Sequence, residues 1–138
     1  MSNGAAGNVE LGRRFFAAQD RLRGGPAAEL CAPGYTARLN ANAAVDRAGH
    51  ESLAKAFYAA LPEARHEIEE AFATDDRVAV RLVFRGRQTG TLLGVAPTQK
   101  TIAITVHAIL HVADGKVTKL VEVFDEASLL RQLGLLGS

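Results

Sequence analysis

Glu122 is the residue whose setting most suggests chemistry. It stands in Val117-Thr118-Lys119-Leu120-Val121-Glu122-Val123-Phe124, the one acid in a run dominated by apolar residues. Successive side chains of a strand point to opposite faces, so Leu120, Glu122 and Phe124 share one face and Val117, Lys119, Val121 and Val123 the other. If Leu120 and Phe124 point inward, Glu122 is a desolvated carboxylate whose pKa rises toward neutrality. Such a group suits a base that takes a proton and returns it. If the face is outward, Glu122 is an exposed strand residue pairing with Lys119 or a nearby Arg.

Other reactive side chains read more plainly. Asp125 precedes Glu-Ala-Ser-Leu-Leu and is a natural helix N-cap. The lone Cys31 has no context that activates a thiolate, and no Cys/His cluster has metal-ligand spacing, so neither a metal nor another cofactor is expected. No Ser-His-Asp arrangement, phosphate loop or dinucleotide fingerprint is present. Phe15, Phe16, Phe57, Tyr58 and Phe84 could stack on a flat ligand, although aromatics at helical or strand spacing are commonly core. His50 and His66 fall near element starts, where surface placement is the default.

The elements that must position Glu122 follow from periodicity. Val9 to Leu22 has helical spacing, ended by Gly24-Gly25-Pro26; a short helix is expected over Ala27 to Cys31 and a short strand over Tyr35 to Leu39. Asn40 to Gly49 reads as loop, and His50 to Leu61 as an amphipathic helix closed by Pro62. His66 to Thr74 and Val78 to Arg85 make a hairpin across Asp75-Asp76. Thr101 to Val112 and Val117 to Phe124 make another across Asp114-Gly115. A last helix is expected from Glu126 to Leu133. On Thr101 to Val112 every even position is apolar, from Ile102 through Ala108 to Val112, and His107 and His111 fall on the odd, outer face. Val78, Val80, Leu82 and Phe84 are inner by the same logic. Helices gathered on one face of a curved mixed or antiparallel sheet give an α+β architecture.

With 138 residues, 48% hydrophobic and 22% charged, the chain suits one globular domain, expected over residues 9–138 behind a flexible start, Met1 to Asn8. Sixteen basic and fifteen acidic residues leave a net charge of +1, which gives no field to recruit nucleic acid or an anionic membrane. No apolar run approaches a membrane span, and the start does not read as a signal peptide, so the expected location is cytoplasmic.

The ordered motifs Ala60-Leu61-Pro62-Glu63-Ala64-Arg65, Asp76 to Arg81, Gly86-x-x-x-Gly90, Leu93-Gly94-x-x-Pro97-Thr98, Asp114-Gly115-Lys116-Val117 and Val123-Phe124-Asp125 through Leu133-Gly134 resemble SnoaL-like polyketide cyclases. The resemblance implies the cone-shaped α+β fold shared with nuclear transport factor two and ketosteroid isomerase, with one apolar pocket between helices and concave sheet. It implies a cofactor-free intramolecular aldol closure, with Glu122 in place of the family's catalytic Asp. It also implies substrate contacts at Tyr35 and Asn40 on the early strand, and at Gln88, where many relatives carry His. Phe16, Phe57, Phe84 and Phe124 complete the expected wall. Ala108 departs from the pattern, because relatives often hold Asp or His there as a second polar group.

Three functions stay open at this point. One is a cyclase acting on a hydrophobic, carbonyl-rich molecule. Another is a non-catalytic module holding such a molecule. The third is an epoxide hydrolase or dehydratase, for which only Tyr35 and Asn40 could assist the acid. Thr101, Thr105, His107, Ile109 and His111 with Arg81 and Val83 form a broad outer face, suited to a homodimer.

Overall fold

The computed structural model describes residues 4–136. Helix α1 (Gly4–Leu22) leads through a single 3₁₀ turn at Ala28–Leu30 into β1 (Cys31–Leu39). Then follow β2 (Val45–Asp46), α2 (Arg47–Ala60), β3 (Arg65–Ala73), β4 (Arg77–Arg87), β5 (Thr101–Ala113), β6 (Lys116–Phe124) and α3 (Glu126–Gln132). The six strands form one curved, unclosed sheet in the order β2-β1-β6-β5-β4-β3. All neighbours are antiparallel except β1 and β6, which run parallel. The α+β expectation holds, and the mixed character of the sheet comes from that one early strand.

Both hairpins form where turn chemistry put them. Asp114 and Gly115 have φ of 52° and 72°, the left-handed pair that a two-residue turn needs to match strand twist. Asp125 caps α3 by accepting from the backbone N–H of Ser128 at 3.0 Å. The Gly86 and Gly90 spacing also has a cause. A Cβ on Gly86 would lie 2.8 Å from Ala64 Cα, and one on Gly90 2.7 Å from the carbonyl oxygen of Ala59. Only glycine lets the end of β4 and its loop pass this close to the exit of α2.

Several expectations are corrected. Gly4 to Asn8 is not a loose start: it is helical, and buried Asn8 donates to the carbonyls of Thr74 and Asp75 at 3.0 and 2.9 Å. Met1 to Asn3 lie outside the described residues. The expected helix over Ala27 to Cys31 shrinks to the 3₁₀ turn, because Cys31 already pairs with Val117 in the sheet. The expected loop over Asn40 to Gly49 holds β2 and the first turn of α2, whose N-cap Asp46 accepts from Gly49 N at 2.8 Å.

The core lies between α1, α2 and the inner sheet face. Phe15 and Phe16 of α1 are at most 1% exposed, as are Val78, Leu82, Ile102, Leu110 and Leu120 from the sheet. The even face of β5 is therefore the inner one. In β6 a bulge at Thr118, where the pairing moves from Val112↔Val117 to His111↔Lys119, turns both Val117 and Leu120 inward. Beyond the bulge, alternation carries Glu122 and Phe124 to the same side as Leu120.

Candidate active site

α1 and α2 leave part of the inner sheet face uncovered, and there a cavity of about 80 Å³ opens, room for several waters. Sheet rows set its floor. His66, Phe84 and Ile104 share one row, Leu82, Val106 and Phe124 the next, and Val80, Ala108, Glu122 and Leu39 the one after. Leu53, Ala54, Phe57 and Tyr58 of α2 form the roof beside His50, and Gln19 of α1 closes one side.

Glu122 faces this cavity with no hydrogen bond or ion pair to its carboxylate among the described residues. Loss of hydration pushes its pKa up from the ordinary 4.5 to about 7, and among the described residues no neighbouring charge offsets it. Its strand is clamped by Asn40, which sits at φ 56° just past β1. The Asn40 N–H donates to the Glu122 carbonyl at 2.9 Å, and its Oδ1 accepts from Phe124 N at 2.7 Å.

Two imidazoles share the wall, contrary to the surface placement expected for them. His50 is 4% exposed, and its Nδ1 lies 2.9 Å from the Tyr35 hydroxyl. Burial, with smaller contributions from Cys31 and Glu122, raises the Tyr35 pKa, so the hydroxyl keeps its proton. That proton has no other described acceptor, so it is donated to Nδ1. The His50 proton then sits on Nε2, the ring nitrogen left to the cavity. Desolvation, followed by the nearby charge of His66, pushes the His50 pKa down to about 4, so the ring is a neutral donor at pH 7.

His66 is set the opposite way. Its Nδ1 lies 2.7 Å from Asp20 Oδ1, its backbone N donates to Asp20 Oδ2 at 2.9 Å, and the Tyr58 hydroxyl donates to Asp20 Oδ1 at 2.6 Å. Burial alone would raise the Asp20 pKa. The bond and charge of His66 and the Tyr58 hydroxyl together outweigh it and hold the carboxyl below its ordinary value. An ionised Asp20 fixes the His66 proton on Nδ1 and leaves Nε2 as an acceptor whenever the ring is neutral. Phe16 and Phe84, with ring centroids at 5.1 and 4.7 Å, hold the imidazole in place.

Of the residues expected to contact a ligand, Phe57, Phe84 and Phe124 line the cavity together with Glu122. Five stand outside its wall. Phe16 lies behind His66 in the core, and Tyr35 behind His50. Asn40 spends its amide on the end of β6 and, at 3.3 Å, on Glu126. Ala108 is buried beside Glu122 in the sheet row. Gln88 is fully buried and braces its own loop: Nε2 donates to Gly90 and Val95 carbonyls at 3.1 Å, and Oε1 accepts from Thr98 Oγ1 at 2.7 Å. The second polar group that Ala108 lacks comes instead from His50, His66 and Gln19. A signal for part of this set was present, since Gln19 and Asp20 follow buried Phe15 and Phe16 by four residues and fall on the same helix face.

A family model described as SnoaL-like polyketide cyclase matches residues 11–133. Among solved structures, AclR from Streptomyces galilaeus, named as a candidate hydroxylase, is 26% identical with a TM-score of 0.87, covering 96% of this chain and 88% of its own. IdmH from Streptomyces antibioticus, named as a candidate polyketide cyclase, is 26% identical with a TM-score of 0.72 and 94% of each chain covered. A candidate SnoaL-like polyketide cyclase from Jannaschia sp. CCS1 shares the fold at 23% identity and a TM-score of 0.83, covering 99% and 98%. No curated protein matches. Among the described residues no helix is long and apolar enough to cross a membrane, and no group of three or more His, Cys, Asp or Glu could hold a metal ion.

Glu122 and His50 pull stability in opposite directions over an overlapping pH range. Folded Glu122 binds its proton more tightly than the unfolded chain, so its contribution falls as pH rises from about 4.5 and is fully lost above about 7. Folded His50 binds its proton less tightly, so its contribution is complete above about 6.5 and is lost as pH falls toward 4. Denaturant unfolding from pH 4 to 8 is expected to show Glu122→Gln gaining on the parent, on the order of 2 kcal/mol by pH 7. A constant difference between the two proteins at every pH would contradict this placement of Glu122.

Proposed function

This chain belongs to the SnoaL-like polyketide cyclase family, and from that premise we propose that it is a cofactor-independent enzyme acting on a hydrophobic, carbonyl-rich small molecule by general acid/base catalysis, in an aldol-type cyclisation. The observation that carries this reading is the desolvated carboxyl of Glu122, without a partner among the described residues, in a largely apolar cavity.

An aldol closure needs a group that removes a proton from the carbon beside a carbonyl and a donor that stabilises the enolate oxygen so formed. A carboxyl near neutrality is matched to the first task, since both of its forms are populated at working pH. The fixed Nε2–H of His50 is suited to the second. As a neutral imidazole it stabilises the enolate without first giving up a proton of its own. Phe57, Phe84 and Phe124 supply the apolar walls that exclude water from the reacting carbon.

Proton exchange tests this without the natural substrate. With acetylnaphthalene in heavy water, the protein is expected to speed deuterium incorporation at the methyl group, with a rate that rises with pH and levels off above about 7. Glu122→Gln is expected to lose roughly a hundredfold or more of that rate while unfolding no more easily at pH 7. Saturable binding with no exchange above buffer would make the chain a binding protein and overturn the enzymatic reading.

We also infer a homodimer through the outer sheet face. Phe72, Ile109 and Val123 are 64%, 45% and 61% exposed there, an apolar group that a second copy would cover. Light scattering is expected to give twice the chain mass; a monomer at working concentration would contradict the dimer.

A further inference from the structure

The Asp20, His66 and Tyr58 network is more than the bare deprotonation at Glu122 requires. His66 lies in the sheet row of Phe84 and Ile104, and Glu122 lies two rows away, beyond the row of Val106 and Phe124. The two groups therefore address different ends of whatever fills the cavity. Asp20 accepts three hydrogen bonds, from Tyr58 Oη, His66 N and His66 Nδ1, at 2.6 to 2.9 Å. A carboxylate so held keeps the Nδ1 side of the imidazole turned toward it and Nε2 turned away. Nε2 has no described partner and belongs to a ring that lines the cavity.

We propose that His66, backed by Asp20, is a second proton acceptor of this cavity and takes the proton of a substrate hydroxyl, so that the substrate carries a phenol or the enol of a β-dicarbonyl at the end away from Glu122. The proposal rests on the cavity's being the substrate site, and it deepens that reading by naming the functional group bound there. In the step, the substrate O–H bond breaks, its proton passes to Nε2, and the pair becomes an enolate or phenolate beside an imidazolium whose Nδ1–H faces Asp20. Nothing is oxidised or reduced, and the proton returns by the same path. His66 contacts the substrate in this scheme, whereas Asp20 and Tyr58 are positioning residues.

The charged and titratable groups around His66 are Asp20 from α1, Tyr58 and His50 from α2, and Arg23 just past α1. The Arg23 guanidinium sits 5.3 Å from the centre of the Tyr58 ring. His50 is neutral at pH 7, and Arg23 stands behind Tyr58 with its Nη1 on the Ala64 carbonyl at 2.6 Å. Among the described residues Asp20 is therefore the one anion in contact with the ring.

Para-nitrophenol is a direct probe, because its neutral and ionised forms differ in colour. At a pH where the free probe is mostly neutral, the protein is expected to bind it in the ionised form. Nitrogen NMR of the parent protein is expected to show His66 protonated on Nδ1 before binding and on both nitrogens after. Affinity is expected to fall at least about tenfold in His66→Gln and in Asp20→Asn, and to stay within about threefold in Glu10→Gln, a change on the exposed side of α1 away from the cavity. The NMR measurement uses the unaltered chain, so it stands even if a variant folds poorly. A bound probe that stays neutral, no binding of the probe, or a His66→Gln variant that binds like the parent would each overturn the proposal. None of these touches the proton-exchange test of Glu122, so the two readings can fail separately.

Discussion

A carboxyl group loses most of its hydration when it is turned toward the inner face of a curved sheet, and the arrangement of this molecule follows from how Glu122 comes to be there. Alternation alone would let β6 present either face. The bulge at Thr118 and the rigid turn at Asp114-Gly115 fix which one, by locking β6 to a β5 whose even positions are already committed to the core. The parallel strand β1 then closes over the other side of β6, and Asn40 ties off its end with bonds to the Glu122 carbonyl and the Phe124 N–H. A one-residue slip of β6 would turn Lys119, Val121 and Val123 inward in place of Leu120, Glu122 and Phe124, taking the carboxyl out of the cavity.

The cavity treats its ionisable groups in three ways. Glu122 meets only desolvation and moves toward neutrality. His50 meets desolvation and a hydroxyl donor and becomes a neutral donor. His66 meets an ionised carboxylate and becomes an acceptor. Contacts that differ in this way give like side chains different free atoms, a donor nitrogen on His50 and an acceptor nitrogen on neutral His66, without any change of residue type. The same division explains why Tyr35 matters while standing outside the cavity: its proton decides which nitrogen of His50 is free.

What the sequence disclosed follows the range of the physics involved. Strand parity is local, so the inner faces of β4 and β5 and the choice between two faces for Glu122 were readable from spacing. Turn and cap chemistry are local too, and Asp114-Gly115 and Asp125 fell where expected. The histidines were misplaced because neither has a local signature. His50 is buried by a hydroxyl fifteen residues earlier, and His66 by a carboxylate forty-six residues earlier. Gln88 was read as a pocket donor from its position in a motif, yet its loop folds back to Thr98 and uses both ends of the amide. For Tyr35, the strand is interrupted near Pro33-Gly34 and pairs in parallel with a partner more than eighty residues away. Its face could not be fixed before the sheet order was known.

The central claim is that burial alone holds the Glu122 carboxyl near neutrality. Carbon-13 NMR of the glutamate side-chain carboxyls, with Glu122 assigned by its loss in Glu122→Gln, measures this directly. A titration midpoint close to 7 is the predicted result. A midpoint near the ordinary 4.5 would mean that water reaches the carboxylate freely and that the cavity does not prepare it for proton transfer.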